Sequence, residues 1–266
     1  MKTRVISAIV ALAIFIPIFI MGGLVFKITV GILTLLGFKE FIDIKETKKP
    51  LPNFIKIISY FFILMILLGI EMDDSFKIIF DFRLITGLLI VAFLPVVLYH
   101  NREKYSVNDA YYILSSVLFL GVSMSFLILY RDMNLNILIY LFLITTMTDS
   151  YAYFTGYLIG KHKLLEVISP KKTWEGFIGG TVVGVFISIV FYLTAIKTNV
   201  SVVNLVFVTT FLSIIGQFGD LFFSAIKRYY GKKDFSNIMP GHGGILDRLD
   251  SIIFVMLAYS FFITFL

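Results

Sequence analysis

The chain has 266 residues, 59% of them hydrophobic and only 15% charged, where a soluble domain would carry roughly a quarter charged residues. That balance excludes an ordinary soluble globular domain, and the absence of cysteine excludes a disulfide framework or a thiolate metal site. The net charge of +6 would suggest nucleic acid in a soluble protein. Here the basic residues fall between apolar blocks, where they report topology, and no nucleic-acid partner is expected.

Lys2 and Arg4 precede an apolar run from Val5 to Met21 that imitates a secretory signal. No small-x-small cleavage site follows and further apolar blocks do, so the run reads as a retained first span. A helix needs about 20 apolar residues to cross a bilayer core. The blocks of suitable length are 5–22, 24–42, 54–71, 78–99, 111–130, 135–156, 174–194, 202–226 and 251–266. They are continuous rather than alternating, which favours helices over barrel strands. The expected fold is therefore all-α, a polytopic transmembrane bundle of about nine spans. It forms a single membrane domain, 1–266, in which 1–134 are mainly scaffold spans and 135–266 hold the catalytic spans and cytoplasmic loops. Of the 23 Lys and Arg residues, all but Lys27, Lys77, Arg83, Arg131 and Lys197 fall on one side if the N-terminus is cytoplasmic. The loop Glu71-Met72-Asp73-Asp74 on the other side is acidic. This bias predicts a cytoplasmic N-terminus and an outward C-terminus.

Polar residues enter the spans from about Thr145 onward. Asp149 lies in the sixth span and Asp220 in the eighth, and a carboxylate at a bilayer centre costs about 2.5–3.5 kcal/mol on insertion scales. Such residues face a protein interior or a wet cavity and point to function. In the eighth span Ser213, Gln217, Asp220, Ser224 and Lys227 share one helical face. In the sixth, Thr145, Asp149, Ala152 and Gly156 form a similar small-polar line. In the seventh, Gly176, Gly180 and Gly184 recur every four residues, a spacing that lets membrane helices approach closely and permits a homodimer.

Two cytoplasmic segments complete the pattern. Ser169-Pro170 predicts a helix N-cap and first turn, followed by Lys171, Lys172, Thr173, Trp174, Glu175 and Gly176. Lysines oppose the dipole preference of a first turn, but suit an anion bound there. The stretch from Ser224 to Asp250 crowds together Lys227, Arg228, Lys232, Lys233, Asp234, Asp247, Arg248 and Asp250. It also holds Pro240-Gly241-His242-Gly243-Gly244, a glycine-rich run whose amides could approach phosphate. Cations, backbone donors and acids together suit a nucleotide with Mg²⁺, which takes one or two carboxylates plus phosphate oxygens. His100, His162 and His242 lack zinc-ligand spacing. A serine hydrolase lacks its nucleophile-elbow pattern.

Three segments resemble the phosphatidate cytidylyltransferase (CDP-diacylglycerol synthase) family. The first runs Ser224-Ala225-Ile226-Lys227-Arg228, Lys233-Asp234 and His242-Gly243-Gly244-Ile245-Leu246-Asp247-Arg248-Leu249-Asp250. The second is Ser169-Pro170-Lys171-Lys172-Thr173 with Glu175-Gly176, and the third Gly216-Gln217-Phe218-Gly219-Asp220. The likeness covers about Asp149 to Ser251; Met239 stands where the family more often has Leu, Ile or Phe. It implies a nucleotidyltransferase of phospholipid biosynthesis in the cell inner membrane, with its active site on the cytoplasmic side. The substrates would be CTP and phosphatidate, the cofactor Mg²⁺, with a second cation left open. On that resemblance the catalytic residues are Lys227, Arg228, Asp247, Arg248 and Asp220. The substrate-binding residues are Ser169, Lys171, Lys172, Lys233, His242, Gly243, Gly244 and Asp250, and the metal ligands Asp220, Asp247 and Asp149. The nearest rival is a CTP-dependent lipid kinase acting on a polyprenol, which would leave no cytidine in its product. An ion-coupled transporter predicts polar residues reaching the outer side and two related halves, and neither is visible.

Overall fold

The structure, a computed structural model, describes residues 13, 15–72, 78–99, 101, 103–196, 200–239, 241 and 243–263, with side chains described outside 70–80. Half of the expected first span, with Lys2 and Arg4, lies outside these residues, as do part of the acidic loop and His242. Residues 15–21 are helical and precede α1 (Gly23–Glu46), α2 (Asn53–Leu68) and α3 (Phe82–Leu98). Then follow α4 (Val107–Met133), α5 (Leu135–Ile159), α6 (Trp174–Ala195), α7 (Val202–Tyr229) and α8 (Leu246–Tyr259). Two short antiparallel hairpins interrupt the helices: β1 (Ile70–Met72) with β2 (Ile78–Phe80), and β3 (Lys163–Leu165) with β4 (Ser169–Thr173).

The protein is thus nearly all helical, and α4, α5, α6 and α7 are long and apolar enough to cross a membrane. α2 and α3 are apolar but shorter, because the ends of the expected third and fourth spans form the β1–β2 hairpin instead. α8 has 14 residues and begins before its expected span, at Leu246. The outer surface of α6 explains why water is the wrong solvent for such helices. Ile178, Val182, Phe186 and Val190, spaced by four, are all large, apolar and exposed. A continuous apolar stripe of this kind on a soluble monomer would drive association; against acyl chains it is at rest. The protein is membrane-embedded.

The chain forms two compact units, Met1–Leu129 with Asp234–Asp247, and Tyr130–Lys233 with Arg248–Leu266. In the first, polar bonds that suit a medium without competing water tie α4 and the residues just before it to α1, α2 and α3. Tyr112 donates to the Phe41 carbonyl at 2.7 Å, Ser125 to Ile66 at 2.9 Å and Tyr105 to Ala92 at 3.0 Å. At the end of α1, Lys45 and Lys49 both pair with the buried Asp109.

In the second unit α5 and α6 pack along the glycine line. A Cβ on Gly176 would lie 2.6 Å from the Ala152 carbonyl, and one on Gly180 would lie 2.5 Å from that of Thr148. Gly184 seats against the Thr148 side chain. These glycines serve packing within the chain, so the face that permitted a dimer is covered by α5. α7 joins the pair through Thr148 Oγ1 to Ser213 Oγ at 2.8 Å and Gln217 Nε2 to Thr181 Oγ1 at 2.8 Å. Ser213 and Gln217, read as the upper part of a polar stripe, therefore tie helices together.

Candidate active site

The local structure before α6 differs from expectation. Ser169-Pro170 does not start a helix: both lie in β4, and Thr173 is the N-cap, its hydroxyl accepting from the Gly176 amide at 3.1 Å. The reason is tertiary. Glu175 accepts from the amides of Lys161 and His162 at 3.1 and 3.2 Å and from the His162 ring, while Trp174 donates to the His162 carbonyl at 2.9 Å. These bonds hold the β3–β4 hairpin against the first turn of α6. Strand geometry then does what a helical turn would not: successive side chains point to opposite faces. Lys171 is exposed, while Lys172 turns inward, and Ser169 is half-buried opposite Leu165.

Lys172 meets Asp220 of α7, Nζ to Oδ2 at 2.6 Å, with the two side chains 25% and 28% exposed. The nitrogen is covered by its surroundings and held by this ion pair. An ammonium has three donors, so Lys172 can meet an incoming anion while it still faces Asp220.

Around this pair the structure gathers further predicted residues of the same unit. Asp149 is within electrostatic reach of Lys172 and Asp220, and Asp250 within reach of Asp220, Asp149 and Lys227. Lys227 is buried although it stands two turns below Asp220 on α7. Ser224, one turn below Asp220, directs its hydroxyl toward Asp220 Oδ1 at 3.4 Å. Ser251, which the sequence reading passed over, orders two of the acids. Its hydroxyl donates to Asp149 Oδ2 at 3.1 Å and its amide to Asp250 Oδ1 at 2.8 Å. Its signal was only that it follows Asp250 at the start of an apolar run. α8 can come close enough because Gly219 faces it: a Cβ there would lie 2.8 Å from the Asp250 carbonyl.

The donor set fits a hard divalent cation. All the candidate ligands are carboxylate oxygens, and Mg²⁺ needs only one or two of them when phosphate oxygens complete its shell. Among the described residues no three His, Asp or Glu side chains form a ready-made metal cage.

Other predicted residues are placed elsewhere or serve the loops. Arg228 is exposed and donates from Nη1 to the Lys232 carbonyl at 2.7 Å; Lys233 and Arg248 are exposed. Asp247 belongs to the first unit. Its Oδ2 accepts from the amides of Phe235 and Gly244 at 3.0 and 2.9 Å. Gly243 has a positive φ of 83° and would place a Cβ 2.8 Å from that same oxygen, so glycine is required there twice over.

Helices suited to a membrane and an inward lysine–aspartate pair beside further carboxylates define a membrane-embedded protein equipped to handle phosphates. The chain belongs to the cytidylyltransferase family, whose sequence profile matches residues 2–266. It is 40% identical over 256 residues to a phosphatidate cytidylyltransferase of Staphylococcus haemolyticus, covering 96% of each chain. It is 39% identical to that of Staphylococcus aureus strain COL and 36% to that of Staphylococcus saprophyticus, each over 257 residues and 96% of both chains.

Proposed function

We propose that this enzyme transfers the cytidylyl group of CTP to phosphatidate, giving CDP-diacylglycerol and pyrophosphate for phospholipid synthesis. The observation that carries the reading is the Lys172–Asp220 pair among Asp149, Asp250 and Lys227, in a chain of the cytidylyltransferase family whose relatives carry that activity in their names.

The chemistry asks little of a base. A phosphate monoester carries between one and two negative charges at pH 7, its second pKa being about 6. Phosphatidate is already a nucleophile. Its phosphate oxygen forms a bond to the α-phosphorus of CTP as the bond to the bridging oxygen breaks, and pyrophosphate leaves with that electron pair. The barrier lies in bringing two anions together, and fixed positive charge in a site of low dielectric lowers it. Lys172 and Lys227 provide such charge from within the site, and Lys171, Arg228, Lys233 and Arg248 from its exposed margin. Asp220 with Asp149 or Asp250 would hold Mg²⁺, with Asp247 a further candidate and a second cation left open. Mg²⁺ held there would supply charge neutralisation and Lewis-acid polarisation of a phosphoryl oxygen. An anion that engages Lys172 would compete with Asp220 Oδ2 for its charge. His242, Gly243 and Gly244 would contact the nucleotide or the leaving pyrophosphate.

The basic residues assign the site to the cytoplasmic face of the cell membrane, with about nine spans and the N-terminus inside. CTP then arrives from water while the acyl chains stay in lipid. The test is incubation of purified protein with Mg²⁺, labelled CTP and phosphatidate. A lipid carrying cytidine is expected. A phosphorylated alcohol without cytidine, or no labelled lipid at all, would overturn the assignment.

A further inference from the structure

Glu40 lies in the middle of α1 and is fully buried, in the half of the chain that its sequence marks as scaffold. Its partners come from some 200 residues later. Oε1 accepts from the Ile245 amide at 2.9 Å and from the Ser236 hydroxyl at 2.5 Å, and Oε2 accepts from the Leu246 amide at 2.8 Å. Leu246 opens α8 and Ile245 directly precedes it, where the first amides have no partner inside the helix. Glu40 caps that helix from outside the segment and meets the positive end of its dipole.

The surrounding residues are shaped to the same contact. Gly244 lies so close that a Cβ would sit 2.7 Å from the Glu40 Cδ, and a side chain there could not coexist with the carboxylate. Gly37, one turn before Glu40, leaves a gap in which the Leu246 side chain lies 3.2 Å from where a Cβ would be. Phe41 meets Phe235 edge-on at 5.8 Å. Asp247 closes the same loop from its other side through the Phe235 and Gly244 amides. The Gly244 amide, at the end of the run that the sequence offers to phosphate, and the two amides after it are thus already engaged by two carboxylates of the protein itself.

We infer that Glu40 is a positioning residue for nucleotide transfer: its bonds to Ser236, Ile245 and Leu246 fix where α8 begins and so orient the residues that follow Leu246 along that helix. The inference rests on the cytidylyltransferase reading. Burying a carboxylate is costly unless each oxygen is hydrogen-bonded, and a shorter apolar side chain would have sufficed for packing. Glutamine in its place keeps the volume but turns an NH₂ group toward donors.

The experiment uses the full chain in detergent, comparing wild type with Glu40→Gln, Glu40→Asp and Ser236→Ala. CTP and phosphatidate are varied separately in the cytidine-lipid assay, and trypsin cleavage after the exposed Lys232 and Lys233 is followed in parallel. Glu40→Gln is expected to lower kcat/KM for CTP about tenfold or more, to leave KM for phosphatidate unchanged and to speed cleavage. Glu40→Asp is expected to fall between it and wild type. Ser236→Ala removes one arm of the clamp while keeping the Glu40 carboxylate and its two amide bonds, and keeps the test open if Glu40→Gln folds poorly; it should show the same selective loss in smaller degree. Wild-type values in both variants, or a loss that tracks the folded fraction and spares cleavage, would overturn the inference. If wild type itself makes no cytidine lipid, the cytidylyltransferase reading fails, whereas the cleavage comparison still reports on the clamp.

Discussion

At the scale of single residues, the proposed chemistry centres on the Lys172–Asp220 pair. Each member loses something different when the other is removed. Asp220→Asn leaves Lys172 without its charge partner and deprives the proposed cation of a ligand. We expect Asp220→Asn to cut Mg²⁺-dependent turnover by about 10²–10³-fold, with the yield of folded protein retained; near-wild-type turnover would remove Asp220 from the metal role. Lys172→Met should raise KM for the anionic substrates as well as lower kcat, since it removes a cation without replacing it. Both residues were legible in the sequence, Asp220 because a carboxylate in an apolar span needs a reason and Lys172 because it stands in a matched segment. Their pairing was not legible. The 47 residues of intervening chain carry no signal for it, and an ion pair depends on which way a side chain turns. That direction came from β4, where alternation separates Lys172 from Lys171. Glu40 had a weak signal that went unread: it adjoins Lys39 inside an apolar run, and charge within a span is unusual enough to merit a partner search.

At the scale of elements, close approach of helices governs the second unit. α5 and α6 can touch only because Gly176, Gly180 and Gly184 offer bare backbone. Gly180→Val would drive a branched side chain into the Thr148 carbonyl, and the helices must separate or the side chain must strain. We expect a loss of about 1–3 kcal/mol, read as a lower unfolding midpoint in detergent, and a parallel loss of turnover because α5 carries Asp149. Ile178→Val on the opposite, exposed face of α6 should leave both unchanged. The periodicity of the glycines announced a packing face, yet could not say whether the partner was another helix of the same chain or a second copy. The failure of Ser169-Pro170 to start α6 has a similar cause. A local N-cap preference amounts to about 1 kcal/mol, and the bonds that Glu175 makes to Lys161 and His162, with the β-pairing of the hairpin, together outweigh it.

At the scale of the whole molecule, orientation follows from where Lys and Arg gather. The chain has no cysteine, so single cysteines can report sidedness without background. A cysteine at Lys233 should react with a membrane-impermeant maleimide only after cells are opened, while one at Asn134, between α4 and α5, should react in intact cells. The reverse pattern would invert the topology. Length and hydropathy by themselves defined the apolar blocks, because crossing a bilayer imposes the same requirement of some 20 residues on every helix. They also revealed the acids and cations that such blocks should not contain and, through motif resemblance, the chemistry. What only the tertiary structure decided is which of those charges meet. Ser213 and Gln217 became bolts between helices, Asp247 turned to its own loop, Ser251 joined two acids, and Glu40 reached across 200 residues to cap α8. The physical reason is that insertion into lipid is read residue by residue along the chain, whereas hydrogen bonds and ion pairs between helices depend on rotation and approach, which hydropathy does not encode.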